Sequence, residues 1–210
     1  MNTNSSYHAY FEKLKNTLDK LDLACIQHIV DTLLECRENG KTMYIFGNGG
    51  SAANASHIAG DFLKGISYGM DKRFKTHCLN DNIAGTTAIT NDLSFDEVFI
   101  EQLKTYLTPG DVVIGISGSG NSVNVVKAIK WAREKGAKTI ALVGYDGGQL
   151  KETAEIVMHA PVRDMEITED IHTITFHVIK QEINRRIKGE KYSMGESYDK
   201  RVGGIKGIEK

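Results

Sequence analysis

Thr42-Met43-Tyr44-Ile45-Phe46-Gly47-Asn48-Gly49-Gly50-Ser51-Ala52-Ala53-Asn54-Ala55-Ser56-His57-Ile58-Ala59-Gly60-Asp61-Phe62-Leu63 reads as a strand, a glycine turn and a helix in succession. Residues 42–46 carry the short, β-favouring pattern of a buried strand, and the small residues after Ser51 suit a helix packed close to its neighbours. The arrangement returns at Asp111-Val112-Val113-Ile114-Gly115-Ile116, followed by the turn Ser117-Gly118-Ser119-Gly120-Asn121-Ser122 and a helix over 123–134 that ends at Gly136. A third strand, 139–143, reaches the glycine turn Tyr145-Asp146-Gly147-Gly148, and weaker strand patterns lie at 76–79 and 156–159. Strands alternating with helices of about ten residues or more imply right-handed crossovers and a mainly parallel sheet covered on both faces. The fold class is α/β, doubly wound.

Upstream, residues 7–38 repeat their apolar residues at helical spacing, with Leu23, Ile26, Val30, Leu33 and Leu34 forming a continuous stripe. A polar interruption at 19–22 divides them into two helices, and Asn39-Gly40 supplies a left-handed stop. Downstream, 167–187 forms a last long helix. Residues 189–210 are polar, glycine-bearing and without period, and are expected to be loose or to order only against a neighbouring subunit. The expected organisation is one domain over 1–188, including the N-terminal helical extension, and a tail over 189–210.

The composition sets bounds on function. Across 210 residues, 40% are apolar and 25% charged, which excludes a disordered or collagen-like chain. With 26 Lys and Arg against 27 Asp and Glu, the charge of -1 gives no electrostatic reason to expect nucleic acid or an anionic membrane as partner. Cys25, Cys36 and Cys78 are odd in number and lack CxxC spacing, which argues against a disulfide framework and a thiolate zinc site. A reducing compartment follows, and without an apolar run near the roughly 18 residues of a membrane span the expected location is the cytoplasm.

In an open parallel sheet, ligands sit beyond the carboxyl ends of the strands, where both Gly/Ser turns fall. Such a turn opening a helix offers backbone N–H groups, hydroxyls and the positive end of the helix dipole to an anion, without Lys or Arg. Ser117, Ser119 and Ser122 are the expected phosphate cradle, Gly115 and Gly118 allow close backbone approach, and Asn121-Ser122 is placed to cap the helix. Neither turn is a P-loop, and Gly47 to Ala52 fits only the looser dinucleotide fingerprint, so no nucleotide cofactor is expected.

Taken in order, Gly47-Asn48-Gly49-Gly50-Ser51, Asn91-Asp92, Ser117-Gly118-Ser119-Gly120-Asn121-Ser122 and Gly144-Tyr145-Asp146-Gly147-Gly148 resemble the sugar isomerase (SIS) domain family, and within it the phosphoheptose isomerases. The likeness covers about residues 7–187. It implies a flavodoxin-like sheet, a homotetramer with active sites between subunits, and conversion of sedoheptulose 7-phosphate to D-glycero-D-manno-heptose 7-phosphate. It also implies that Ser51, Ser117, Ser119 and Ser122 hold the phosphate, with Asn48, Gly49, Gly50, Gly118, Asn91 and Asp92 completing substrate binding.

His57 and Asp61 are four apart on one helix and share a face. Glu169 and His177 are eight apart on the last helix, about 80° out of register, with His172 between them as a substrate contact or support. Two His and two carboxylates suit Zn²⁺ and accept other divalent ions. In the resembled isomerases, a His and a Glu on the first helix and a Gln and a His on the last form a zinc and substrate site, which falls here on His57, Asp61, Glu169 and His177. Asp61 stands where that family has Glu, and Glu169 where it has Gln. The expected mechanism has Asp61 as the base at carbon and His177 as the acid/base at oxygen. His8, His28, His77 and His159 are read as structural. The competing expectations are a non-catalytic SIS protein that binds a phosphosugar or bridges copies of a replication initiator, and an isomerase of another phosphosugar.

Overall fold

The computed structural model describes residues 4–189 together with 193, 195 and 199, so most of the tail over 189–210 lies outside the described residues. Helix α1 (Asn4–Leu18) and α2 (Leu23–Glu38) replace the single helical stretch as expected, with Asp22 accepting from the Ala24 and Cys25 N–H groups to cap α2. Five strands follow, β1 (Thr42–Gly47), β2 (Lys75–Cys78), β3 (Val112–Ser117), β4 (Lys138–Val143) and β5 (Ile156–His159). They pair in parallel in the order β2-β1-β3-β4-β5. The chain begins in the middle of the sheet, builds outward to β2, then returns across β1 to β3. Strand order reverses between β1 and β3, and the crevice at that reversal is where this topology places ligands.

Alternation along the strands sorts the core into two faces. Met43, Ile45, Val112, Ile114, Ile116, Ile140 and Leu142 point to one side, where they pack with α2, α3 (Gly50–Gly60) and α8 (Met165–Lys188). Tyr44, Phe46, Val113, Ala141 and Val143 point to the other, against α5 (Val98–Tyr106), α6 (Val123–Glu134) and α7 (Leu150–Thr153). Gly115 allows α6 to approach β3, since a Cβ there would press on Val125 and Ile129. Helix α1 lies outside this sandwich on the start of α8, where the Tyr10 hydroxyl donates to Asp170 Oδ2 (2.6 Å) and Lys13 pairs with Asp164 (2.8 Å).

Three elements differ from the sequence expectation. The helix after the first glycine turn does not simply continue to Leu63; at Asp61 it widens into a π-helical segment, Asp61–Ile66. Between β2 and β3 the chain forms α4 (Ile83–Asp92), a 3-10 turn (Phe95–Glu97) and α5, for which the sequence expectation has no element, although α5 buries Val98, Phe99, Ile100 and Leu103. Helix α4 has no buried residue, so it lacks the apolar stripe that marks a helix in sequence. Ser122 occupies the N-cap position of α6, but its hydroxyl does not cap the helix and instead lies 2.9 Å from Ser117 Oγ. Among the described residues, no helix is long and apolar enough to cross a membrane.

The third glycine turn buttresses the second. Leu150 N–H donates to the Gly120 carbonyl and Gln149 N–H to Asn121 Oδ1, both at 3.0–3.1 Å. Gly120 has φ +69°, and a Cβ there would collide with the Gly147 carbonyl. Gly120→Ala is therefore expected to lower stability by about 2 kcal/mol or more, read as a fall in the urea midpoint at unchanged slope.

Candidate functional site

Both Gly/Ser turns leave the carboxyl ends of neighbouring strands β1 and β3. Asn48 and Asn124 join them through a reciprocal pair of amide hydrogen bonds, 2.9 and 3.1 Å, and Asn124 is buried. Asn124 was not singled out by the sequence; its signal is an amide in the first turn of an otherwise apolar helical face. The turns enclose a cavity of ≈ 110 Å³ lined by Asn48, Ser51, Ile116, Ser117, Gly118, Ser119, Ser122, Met165 and Glu169. Ser51, in the first turn of α3, and Ser117, the last residue of β3, are almost wholly buried. The N-termini of α3 and α6 both open here, so unsatisfied N–H groups and two positive dipole ends meet hydroxyls in one small space. That is the chemistry of an oxyanion site.

Met165 and Glu169 close the cavity from α8. The Glu169 carboxylate fills the space that a Cβ at Gly50 would take, and Met165 Sδ does the same for Gly118. Burial raises the Glu169 carboxyl above the ordinary carboxylate range, with Glu166 and Asp170 adding to the effect.

A second cluster forms where α3 meets α8. The Asn54 amide donates to the Glu169 carbonyl (3.1 Å) and accepts from the Thr173 hydroxyl (2.9 Å), fixing one helix against the other. His57 Nε2 then lies 3.1 Å from His177 Nε2, and Asp61 Oδ2 lies 3.6 and 3.7 Å from the two ring nitrogens. The other carboxylate oxygen, Oδ1, pairs with Lys180 Nζ at 2.5 Å. Burial lowers the affinity of His177 for a proton, opposed by Asp61 and reinforced by His57 and Lys180. Metal–donor bonds of about 2.0–2.2 Å at tetrahedral angles put donor atoms about 3.3–3.6 Å apart, so these three donors fit a small divalent ion by spacing and by chemistry.

Of the four metal ligands expected from sequence, the structure brings together His57, Asp61 and His177. Glu169 stands apart: its register on α8, about 80° from His177, turns it into the serine cavity. His172 is placed for support and not for substrate contact within this chain. Its ring is completely buried, lines no part of the cavity, and neither nitrogen has a well-formed hydrogen bond. Asn91 and Asp92 lie at the exposed end of α4, bonded to each other at 2.8 Å, and do not line the cavity of their own chain. Lys180 and Asn54 were missed, because a lysine or asparagine on a helix carries no sign that its partner lies on another one.

The SIS domain matches residues 6–144 of this sequence. A probable phosphoheptose isomerase of Thermoplasma volcanium is 37% identical over 170 residues, covering 81% of this chain and 86% of the relative. The chain belongs to the SIS domain family. A phosphoheptose isomerase of Chlorobaculum tepidum is 37% identical over 188 residues, covering 84% of this chain and 85% of its own length. The structure of the phosphoheptose isomerase from Neisseria gonorrhoeae superposes with a TM-score of 0.79 at 30% identity, over 86% of this chain and 96% of that one. That of a phosphoheptose isomerase from Francisella tularensis gives 0.80 at 25% identity, over 88% and 100%. The SIS fold of these solved structures is the five-stranded architecture described above.

Beneath the SIS site, burial pushes the His172 imidazole down to about 4 from an ordinary 6.5, only weakly opposed by the Val143 backbone. Between those values the unfolded chain binds a proton that the native chain does not, so stability is full above about pH 6.5 and falls as pH drops towards 4. The loss reaches about 3 kcal/mol at most. Urea unfolding at a series of pH values is expected to show a shallower acid slope in His172→Gln than in the parent.

Proposed function

We propose that this chain is a phosphoheptose isomerase that converts sedoheptulose 7-phosphate to D-glycero-D-manno-heptose 7-phosphate. The observation that carries the reading is the meeting of Asp61 and His177, from helices far apart in sequence, with Asp61 Oδ2 3.7 Å from His177 Nε2. A carboxylate and an imidazole are the base and the acid that an enediol reaction needs, and a serine-lined oxyanion cavity opens on the same α3–α8 surface. Curated relatives carrying this activity by name, at 36–37% identity over most of the chain, support it.

In this mechanism Ser51, Ser117, Ser119 and Ser122 bind the phosphate, assisted by the Asn48, Gly49, Gly50 and Gly118 backbone and side-chain groups. Binding energy from this remote end holds the sugar against the reacting groups. Asp61 takes a proton from C1 of the ketose and returns it at C2. His177 donates a proton to the C2 oxygen and recovers one from the C1 oxygen, so that the enediol collapses to the aldose with no net change in either residue. His57, Asp61 and His177 would hold a zinc ion or another divalent cation, which when bound supplies Lewis-acid polarisation of the sugar oxygens. No step requires a nucleotide.

We further propose that the enzyme works as a homotetramer with active sites between subunits. No residue of helix α4 is fully buried, only Ile89 leans on the core, and Leu93 and Phe95 stand exposed beside Asn91 and Asp92. A neighbouring subunit covering α4 would bring those two polar residues to another chain's sugar. Free thiols at all three cysteines suit the reducing cytoplasm.

Asp61→Asn is expected to abolish turnover of sedoheptulose 7-phosphate with unchanged circular dichroism and elution volume, and full activity in that variant would remove Asp61 as the base. Ser119→Ala is expected mainly to raise KM for the phosphosugar. Zinc competition against a chromophoric chelator separates the three-ligand site from a four-ligand one: His177→Ala is expected to lose about a hundredfold or more in affinity, and Glu169→Gln less than about threefold.

A further inference from the structure

Lys180 lies one turn beyond His177 on α8, and its side chain is only 14% exposed although it ends in a charge. Its Nζ pairs with Asp61 Oδ1 at 2.5 Å, and the Asp61 side chain is itself 21% exposed. Both groups pass over Gly65: a Cβ there would sit 3.2 Å from Lys180 Cε and 3.3 Å from both Asp61 Oδ1 and Lys180 Nζ. Asp61 also begins the π-helical segment, whose wide turn carries Gly65. The missing side chain at Gly65 therefore leaves room for the arrangement observed, in which the ammonium holds one carboxylate oxygen and the other faces the two imidazoles.

We infer that Lys180 is a positioning residue that commits Asp61 to act through a single oxygen, Oδ2, and whose charge opposes divalent-ion binding at the same cluster. The inference rests on the isomerase reading. A carboxylate held at Oδ1 cannot rotate about its terminal bond, and cannot chelate an ion through both oxygens. It presents one lone-pair site towards His57 and His177, where the sugar carbon must come. The ammonium also cancels the formal charge of Asp61, so with neutral histidines the cluster offers a divalent ion donor atoms but no net negative charge. Losing the cation and losing the orientation push metal affinity in opposite directions. The charge effect is the larger, because it acts on a doubly charged ion across one carboxylate in a partly desolvated pocket.

Removing the ammonium is therefore expected to move two observables oppositely. Lys180→Met should tighten zinc binding about tenfold in competition with a chromophoric chelator. With metal removed by a chelator, so that Oδ2 is free to act as the base, the same variant should lose about ten- to a hundredfold in kcat for sedoheptulose 7-phosphate, with KM changed by less than about threefold. Lys180→Arg, which keeps the cation, should stay within about threefold of the parent in both. Weaker or unchanged zinc binding in Lys180→Met, folded by circular dichroism, overturns the inference, as does unchanged kcat. If Lys180→Met does not fold, Lys180→Gln is read by the same two criteria. The zinc measurement needs no sugar, so a parent enzyme inert towards sedoheptulose 7-phosphate would refute the isomerase reading and leave the opposition between Lys180 and the metal separately decided.

Discussion

The site depends on one helix contact. His57 and His177 are 120 positions apart, yet their ring nitrogens approach to 3.1 Å because α3 lies against α8 at the carboxyl end of the sheet. Two hydrogen bonds at Asn54 set the register of that contact, one to the Glu169 carbonyl and one from the Thr173 hydroxyl. Ala55 and Ala59 are buried on the side of α3 that enters the core it shares with β1 and α8. Without the Asn54 bonds the imidazoles would lose their approach while the sheet stayed intact, so a sound SIS fold and a dismantled cluster are compatible.

The anion cavity has a different origin. Its floor comes from the sheet's own crossovers, because β1 and β3 are neighbours and each hands its chain directly into a helix N-terminus, and α8 adds only Met165 and Glu169 as its wall. The Asn48–Asn124 amide pair joins the two loops, and the Tyr145-Asp146-Gly147-Gly148 turn supports the second from behind. Hydroxyls facing inward at Ser117 and Ser122 bond to each other. They thereby satisfy groups that would otherwise be buried without partners, and remain free to reorient when an acceptor arrives. Ser122 gives up its capping bond to do so, which is why the N-cap expectation fails.

What could be read from the sequence follows from how local each signal is. The strand–turn–helix units at 42–63 and 111–134 were legible because apolar alternation, glycine turns and helical spacing each span only a few residues. Helices α4 and α5 were not: α4 has no fully buried residue to leave a pattern, and α5 buries Val98, Phe99, Ile100 and Leu103 within only nine residues. The i, i+4 pairing of His57 and Asp61 was legible for the same local reason, and the family resemblance supplied His177. Glu169 was drawn into the same set by that resemblance, although an eight-residue spacing on a regular helix already turns it away. Asn124 and Asn54 derive their roles from partners 76 and 119 positions away in the chain, and Lys180 from a carboxylate 2.5 Å away on another helix. None is visible until the helices are docked.

The two departures from the phosphoheptose isomerase pattern become intelligible when placed in these surroundings. Asp61 is a methylene shorter than the Glu it replaces, yet its free oxygen stands nearly equidistant from both histidines because the ammonium of Lys180 anchors its other oxygen. Glu169 in place of Gln introduces a carboxyl where a neutral amide would be, beside a cavity built for an anion. Its burial and the neighbouring Glu166 and Asp170 all raise its proton affinity. A phosphate bound beside it would add negative charge and push the same way. A carboxylate keeps the acceptor of the amide in the resembled isomerases and loses its N–H donors, so Glu169 is the point at which that pattern and the surroundings in this chain part.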